Sequence, residues 1–320
     1  MPFLRLILIL LAGLLLLLSL LAWLMARFLL RPPRMTDGKA SWLLRRLTPL
    51  DIGLPFAPLT FSIRDEQSQK PLNLAAWWIP HENSHQNGQN GKTAILLHGY
   101  ADAKVGAIAW APLFHELGYN ILALDLRAHG ESGGQISSGG YWERHDLHQV
   151  INDLRARYPH ETRHLTLFGA SLGAAVAIAV ASQRDDIDAV IMESPFIDFR
   201  HAASGHFNLL GIALPQLHRA AIWLSQKMAH ANFSSIRPLD LIPKSPCPIL
   251  LIQGQADVLT PPDDQHQLKR AIAQRPDGST YWRLADVPHL MPLSADPNGY
   301  RQRLSEFLLA TQSDFARRDN

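Results

Sequence analysis

Gly169-Ala170-Ser171-Leu172-Gly173 follows the apolar run His164-Leu165-Thr166-Leu167-Phe168 and opens a run of small residues at 174–181. A strand, a serine boxed by two glycines, and then a helix read as a nucleophile elbow. Such a turn lifts the serine hydroxyl clear of the sheet. A side chain at Gly169 or Gly173 would strike the neighbouring backbone. The pentapeptide pattern is common by chance, so its meaning depends on the rest of the chain.

Outward from the elbow, short apolar runs alternate with helical patterns. Strands are expected at 59–64, 72–78, 93–97, 120–124, 164–168, 189–192, 249–252 and 280–284. The first two flank a polar turn and read as an antiparallel hairpin. The later runs are of the continuous kind found in buried parallel strands. Helices are expected at 106–117, 142–157, 174–181, 261–273 and 300–310. Strands alternating with helices predict a mainly parallel sheet covered on both faces. Residues 195–246 break the rhythm with two helical patterns, at 209–219 and 222–231, and no clear strand. This interval reads as a lid inserted over the C-terminal ends of the strands.

A serine hydroxyl becomes a nucleophile when an imidazole takes its proton, and a carboxylate fixes that imidazole's tautomer and stabilises its charge. The chain order serine, acid, histidine is met downstream of Ser171. Asp257 lies just past the strand at 249–252, and His289 just past the strand at 280–284. Glu193, directly after the strand at 189–192, is the competing acid, and Asp257 is preferred. A tetrahedral oxyanion also needs donors. The Leu172 N–H at the start of the elbow helix supplies one, and the Tyr100 N–H in His98-Gly99-Tyr100 the second. His98 itself reads as a loop-packing residue, and His201, His206, His218, His230 and His266 as surface residues of the lid and a helix.

Three other motifs carry no chemistry. His81-Glu82-Asn83-Ser84-His85 matches the zinc-protease pattern, but Pro80 and the Asn/Gly-rich sequence around it deny the helix that this site needs. Gly91-Lys92-Thr93 resembles the tail of a phosphate loop, yet Gln86 stands where its first glycine belongs and a strand follows. His148 and Asp153 lie inside one expected helix at an offset that splays them apart. No cofactor and no metal is expected. The lone cysteine, Cys247, excludes an intramolecular disulfide and reads as a buried structural thiol.

Hydrophobic residues make up 47% of the 320 residues and charged ones 18%, enough for a sizeable core. A net charge of +2 does not point to nucleic acid. Residues 6–26 carry no charge and are long enough to cross a bilayer as a helix. The run is too long for a cleaved signal peptide and lacks its small-x-small site. It reads as an uncleaved single-span anchor over 1–30, with Trp23 at the interface and Pro32-Pro33 as its end. Arg27, Arg31, Arg34 and Lys39 follow it, so the positive-inside rule places the remaining chain in the cytoplasm. A juxtamembrane connector at 31–58 and a catalytic domain at 59–320 complete the expected organisation. In the connector, Arg45 and Arg46 beside Trp42, Leu43 and Leu44 suit either an interfacial patch or a helix packed on the domain.

Together these marks resemble the α/β-hydrolase superfamily, in its branch of serine esterases, lysophospholipases and aminopeptidase-like members. The resemblance runs from about 59 to 310. It rests on Leu97-His98-Gly99, the turn Asp125-Leu126-Arg127-Ala128-His129-Gly130-Glu131-Ser132, the glycine box, Asp257 and His289. That turn usually carries glycine where Ala128 stands, a departure in a structural element. Relatives with an N-terminal anchor include membrane-tethered lipid hydrolases and protein-depalmitoylating thioesterases. The resemblance implies ester or thioester hydrolysis of a small acyl or lipid substrate through an acyl-enzyme, without a cofactor. Ser171 argues against the branches that use an aspartate nucleophile. An aminopeptidase-like hydrolase, a non-catalytic binding protein at the membrane, and acyl transfer to an alcohol remain the alternatives.

Overall fold

The computed structural model describes residues 2–82 and 91–318, with side chains through 311. The HExxH pattern runs into 83–90, so His85 lies outside the described residues.

Among the described residues, eight strands form one sheet: β1 (Ala57–Arg64), β2 (Pro71–Ile79), β3 (Lys92–Leu97), β4 (Asn120–Leu124), β5 (His164–Ala170), β6 (Ala189–Glu193), β7 (Ile249–Gly254) and β8 (Thr280–Leu284). Their order is β1-β2-β4-β3-β5-β6-β7-β8. β1 and β2 pair antiparallel, β2 joins β4 antiparallel, and every later pair is parallel. The hairpin expected at the front of the domain is therefore present. The inner strands are buried on both faces, which is why their sequences are continuous apolar runs rather than alternating ones.

Among the described residues the α-helices are α1 (Pro2–Leu30), α2 (Asp37–Leu44), α3 (Lys104–Ala107), α4 (Ala111–Glu116), α5 (Tyr141–Arg157), α6 (Leu172–Ala181), α7 (Phe199–Leu209), α8 (Pro215–Ala229), α9 (Pro238–Leu241), α10 (Pro262–Ala273), α11 (Pro292–Ala295) and α12 (Pro297–Arg318). α5 and α6 pack into the core on one face of the sheet and α12 into the core on the other.

Two helix expectations are corrected. The single helix expected at 106–117 is broken into α3 and α4. Pro112 lacks an N–H and its ring clashes with the carbonyl four residues earlier, so a continuous helix is interrupted there. The lid helix expected at 209–219 is interrupted: 210–214 form a turn between α7 and α8, and its second half, 215–219, opens α8. Gly211 sits at φ +78°, in the left-handed region, and Pro215 starts the next helix at a position where proline needs no N–H. His218, expected at the surface, is buried. Its Nε2 donates to Ile212 O at 2.5 Å and its ring packs on Phe207.

α1 is long and apolar enough to cross a membrane. Its first two-thirds project from the body with leucines exposed, whereas Ala22, Met25, Ala26, Leu29 and Leu30 are buried. A helix leaves its last carbonyls without intrahelical donors. Here the body supplies two: Tyr100 Oη donates to Phe28 O at 2.7 Å, and Ser137 N to Leu30 O at 2.8 Å. Arg34, just beyond, donates to the carbonyls of His129, Gly130, Ser132 and Gly134. Farther on, α2 buries Ala40 but leaves Trp42 and Leu43 exposed, and Arg46 donates to the carbonyls of Val105 and Gly106. The connector thus lies on the body while presenting an apolar edge.

Candidate active site

The strand order reverses about β3: β4 lies on one side of it and β5 on the other. Ligands of open parallel sheets bind outside the C-terminal strand ends at such a switch point. The loops that meet there hold Gly99 after β3 and Ser171 after β5.

Ser171 occupies φ 52° and ψ −109°, a strained conformation for a residue with a side chain. Its surroundings enforce it. Ser171 N donates to Glu193 O at 2.9 Å, and α6 starts at the next residue. A Cβ at Gly169 would lie 2.2 Å from Gly173 O, and one at Gly173 would lie 2.2 Å from Leu97 O. The glycine box therefore lets β5, α6 and the end of β3 approach without a side chain between them. Ser171 is 8% exposed and its side chain lines a pocket. Leu172 is the first residue of α6, so its N–H has no acceptor within the helix, and the helix dipole adds partial positive charge there.

The loop after β3 is pinned by His98. Its Nε2 accepts from Leu126 N at 3.0 Å, which leaves Nδ1–H to donate to Gly99 O at 2.7 Å. Burial holds this imidazole well below its usual pKa and hence neutral. A Cβ added at Gly99 would sit 3.6 Å both from Ser171 Cβ and from Leu290 Cδ1. Ser171 and the residue next to His289 thus meet across Gly99.

Asp257 and His289 come from adjacent strand ends held at close quarters. Gly254 makes this possible, since a Cβ there would lie 2.2 Å from Val287 O. Gln255 N and Ala256 N donate to Leu284 O and Val287 O, zipping the two loops together. Asp257 is buried; its Oδ2 lies 2.7 Å from His289 Nδ1 and accepts from Gln253 Nε2 at 2.8 Å, while Oδ1 accepts from Leu259 N at 2.9 Å. A carboxylate only accepts, so Nδ1 carries the imidazole proton and Nε2 is left as the basic nitrogen. Gln253 was not anticipated, although a polar residue closing the apolar strand ILLIQG four positions before Asp257 was a visible signal.

Glu193 serves elsewhere. Its Oε2 accepts from Trp110 Nε1 at 2.9 Å and Tyr300 Oη at 2.5 Å, and both partners belong to the core below the sheet. Burial pushes its carboxyl up to about 7, against the pull of those two donors. The Asp125 turn is likewise a brace: Asp125 accepts from Lys104 N and Nζ and Glu131 N, and Ser132 Oγ bridges to Ala75 N. Ala128 in that turn takes φ 62°, a left-handed conformation that explains why glycine is usual there. His148 and Asp153 are spent on Gln183 and Arg157. Cys247 is buried, and its thiol is pushed up to about 11 by that burial.

The pocket beside Ser171 is lined by Leu172, Tyr100, Phe196, Phe199, Ala202 and Ala203, with His206 at its edge. Phe28 and Leu29 from the last turn of α1 complete the wall. Neither was foreseen, because nothing in a leucine-rich run marks which residues reach back to a distant site.

An eight-stranded, mainly parallel sheet with a serine elbow at its switch point is the α/β-hydrolase fold, and the chain is similar to esterases and peptidases built on it. The family model described as serine aminopeptidase, S33, matches residues 88–239. The Pyrococcus furiosus esterase Pf2001 superposes with a TM-score of 0.67 at 27% identity, covering 88% of this chain and 98% of that one. Pyrococcus horikoshii acylaminoacyl peptidase shares the fold at 16% identity, with a TM-score of 0.56, over 85% of this chain and 43% of its own. Among sequence relatives, YfhR of Escherichia coli O157:H7 is 28% identical over 74% of this chain and 76% of its own length. A protein of Saccharomyces cerevisiae described as an uncharacterized membrane protein is 28% identical over 69% of each chain. α1 fits a membrane anchor or a signal sequence.

Proposed function

We propose that the protein is a membrane-anchored serine hydrolase that cleaves carboxylic esters or thioesters through an acyl-enzyme. The observation that carries this reading is the 2.7 Å pairing of His289 Nδ1 with buried Asp257, in the loop layer that holds Ser171 on its strained elbow. His289 Nε2 takes the Ser171 proton as Oγ attacks the acyl carbonyl. The oxyanion is received by the N–H groups of Leu172 and Tyr100, each worth ~3–4 kcal/mol of transition-state stabilisation. His289 then hands its proton to the leaving group, and a water activated the same way releases the acid.

The pocket favours acyl chains over peptides. An aminopeptidase must pair the substrate's α-ammonium with a carboxylate, and no Asp or Glu is among the described residues lining this pocket. The anchor reading rests on the buried last turns of α1 and on Arg34. Removing α1 by signal cleavage would strip Met25, Leu29 and Leu30 from the core. The basic residues after α1 favour a cytoplasmic body.

A fluorophosphonate probe should label the full-length protein in detergent, and S171A should abolish both labelling and ester turnover. Persistent labelling of that variant would overturn the assignment. p-Nitrophenyl acyl esters should be hydrolysed in preference to aminoacyl p-nitroanilides.

A further inference from the structure

α1 and the lid helix α8 run side by side in the same direction. Leu15, Leu18, Ser19 and Ala22 share a groove of about 480 Å³ with Leu214, Leu217 and Ala220. Farther along both helices, Ser225 Oγ comes within 3.5 Å of Ala26 O. The step from Leu15 to Ala26 equals that from Leu214 to Ser225, so the pairing keeps register over about 16 Å. On α1 the contact face is Leu15, Leu18, Ala22, Met25 and Leu29, alternating steps of three and four residues as in a coiled-coil seam.

This pairing sets the depth of the lid. The exposed part of α1, residues 2–20, is about 30 Å long and matches a hydrocarbon layer. Leu214 lies beside Leu15 and Leu18, within that stretch. The turn that carries it, 207–217, contains no charged residue, and Leu209, Leu210 and Leu214 are more than half exposed. An exposed apolar loop lying alongside a bilayer-length helix is matched to lipid rather than water. The seam leads from this depth to the pocket: Leu18 and Ala22 line the groove, Met25 is buried between, and Leu29 forms a wall beside Ser171. The pocket itself has a free volume of only about 20 Å³, enough for one water, so an acyl chain is admitted only when the lid parts from α1.

We infer that the lid tip is seated in the bilayer and that the substrate is a lipid ester whose acyl chain passes from the hydrocarbon layer along the α1–α8 seam to Ser171. This rests on the serine-hydrolase reading above. In the full-length protein reconstituted into phosphatidylcholine vesicles, 4-methylumbelliferyl palmitate in the bilayer is compared with soluble 4-methylumbelliferyl butyrate. Leu209 and Leu210 line neither groove nor pocket, so the double variant L209D/L210D should retain butyrate turnover while palmitate turnover falls by about tenfold. A nitrobenzoxadiazole label at L210C should be quenched by brominated acyl chains, and the same label at K269C should not. Equal loss on both esters, no loss on either, or an unquenched label at L210C would overturn the inference. S171A separates the two readings: if it abolishes both turnovers and the lid variant shows no selectivity, only the route from the bilayer fails.

Discussion

The elbow and the lid are held in place by different means. At the elbow and at the adjoining Asp257 loop, backbone meets backbone: Gly169, Gly173 and Gly254 each stand where a single added carbon would lie 2.2 Å from a carbonyl oxygen. At the lid, side chains meet side chains, as in Phe199 on Phe233 and Phe207 on His218, and Gly211 at its turn faces open space. Backbone contacts have no rotamers to adjust, so the first region admits little variation. Side-chain packing can slide, so the second can open. A hydrolase needs both, because its reacting atoms must hold position while its substrate gets in and out.

The contrast can be broken most strongly at the acid. D257N should lower kcat by about 10⁴, by presenting the wrong imidazole tautomer, with little change in labelling-independent measures of fold. E193Q, by comparison, should keep turnover within about threefold at neutral pH; a larger loss than in D257N would move the acid to β6. Next comes G173A, which drives a Cβ into Leu97 O and should destabilise the fold by about 3 kcal/mol in urea unfolding. The same change in the lid, G211A, meets no atom and costs only the left-handed strain, about 1 kcal/mol. Equal effects of the two alanines would erase the distinction between the regions.

Glu193 sharpens the comparison through pH. Its native carboxyl titrates near 7, against about 4.5 when unfolded. Below 4.5 both states are protonated and the group is neutral toward stability. Between 4.5 and 7 the unfolded chain releases its proton first, so stability falls as pH rises, by about 3 kcal/mol at most. E193Q lacks this loss. Its melting temperature relative to the native protein should therefore climb between pH 5 and pH 8, and a flat difference would refute the buried, protonated carboxyl.

Much of this was legible in the sequence because the signals were local. The inner strands are apolar runs of the right length, and the glycines of the box announce a close crossing. The Ala128 turn was recognisable even with its strained alanine. Asp257 was preferred by its place after a strand, whereas the physical ground for setting Glu193 aside, its bonds to Trp110 and Tyr300, comes from residues 83 and 107 positions away. The lid helices are ambiguous in sequence because their apolar residues fit more than one phase, and only Gly211 and Pro215 mark the turn between them. Pro112 likewise broke a helix that periodicity alone made continuous. Least legible was α1. In a run of leucines every face is apolar, so no pattern separates those left exposed from Leu29, which lines the pocket.

Arg34 gives that helix a mechanical consequence. Its guanidinium grips four carbonyls of the loop at 129–134, while Tyr100 and Ser137 hold the last turn just before it. A helix fastened at so many points is a mast stepped into a hull rather than a mooring line. Bilayers of different thickness tilt a spanning helix by different amounts. For the membrane-anchored protein proposed above, a change of tilt would be passed through this fastened foot to the body, and the mouth of the pocket would turn with it.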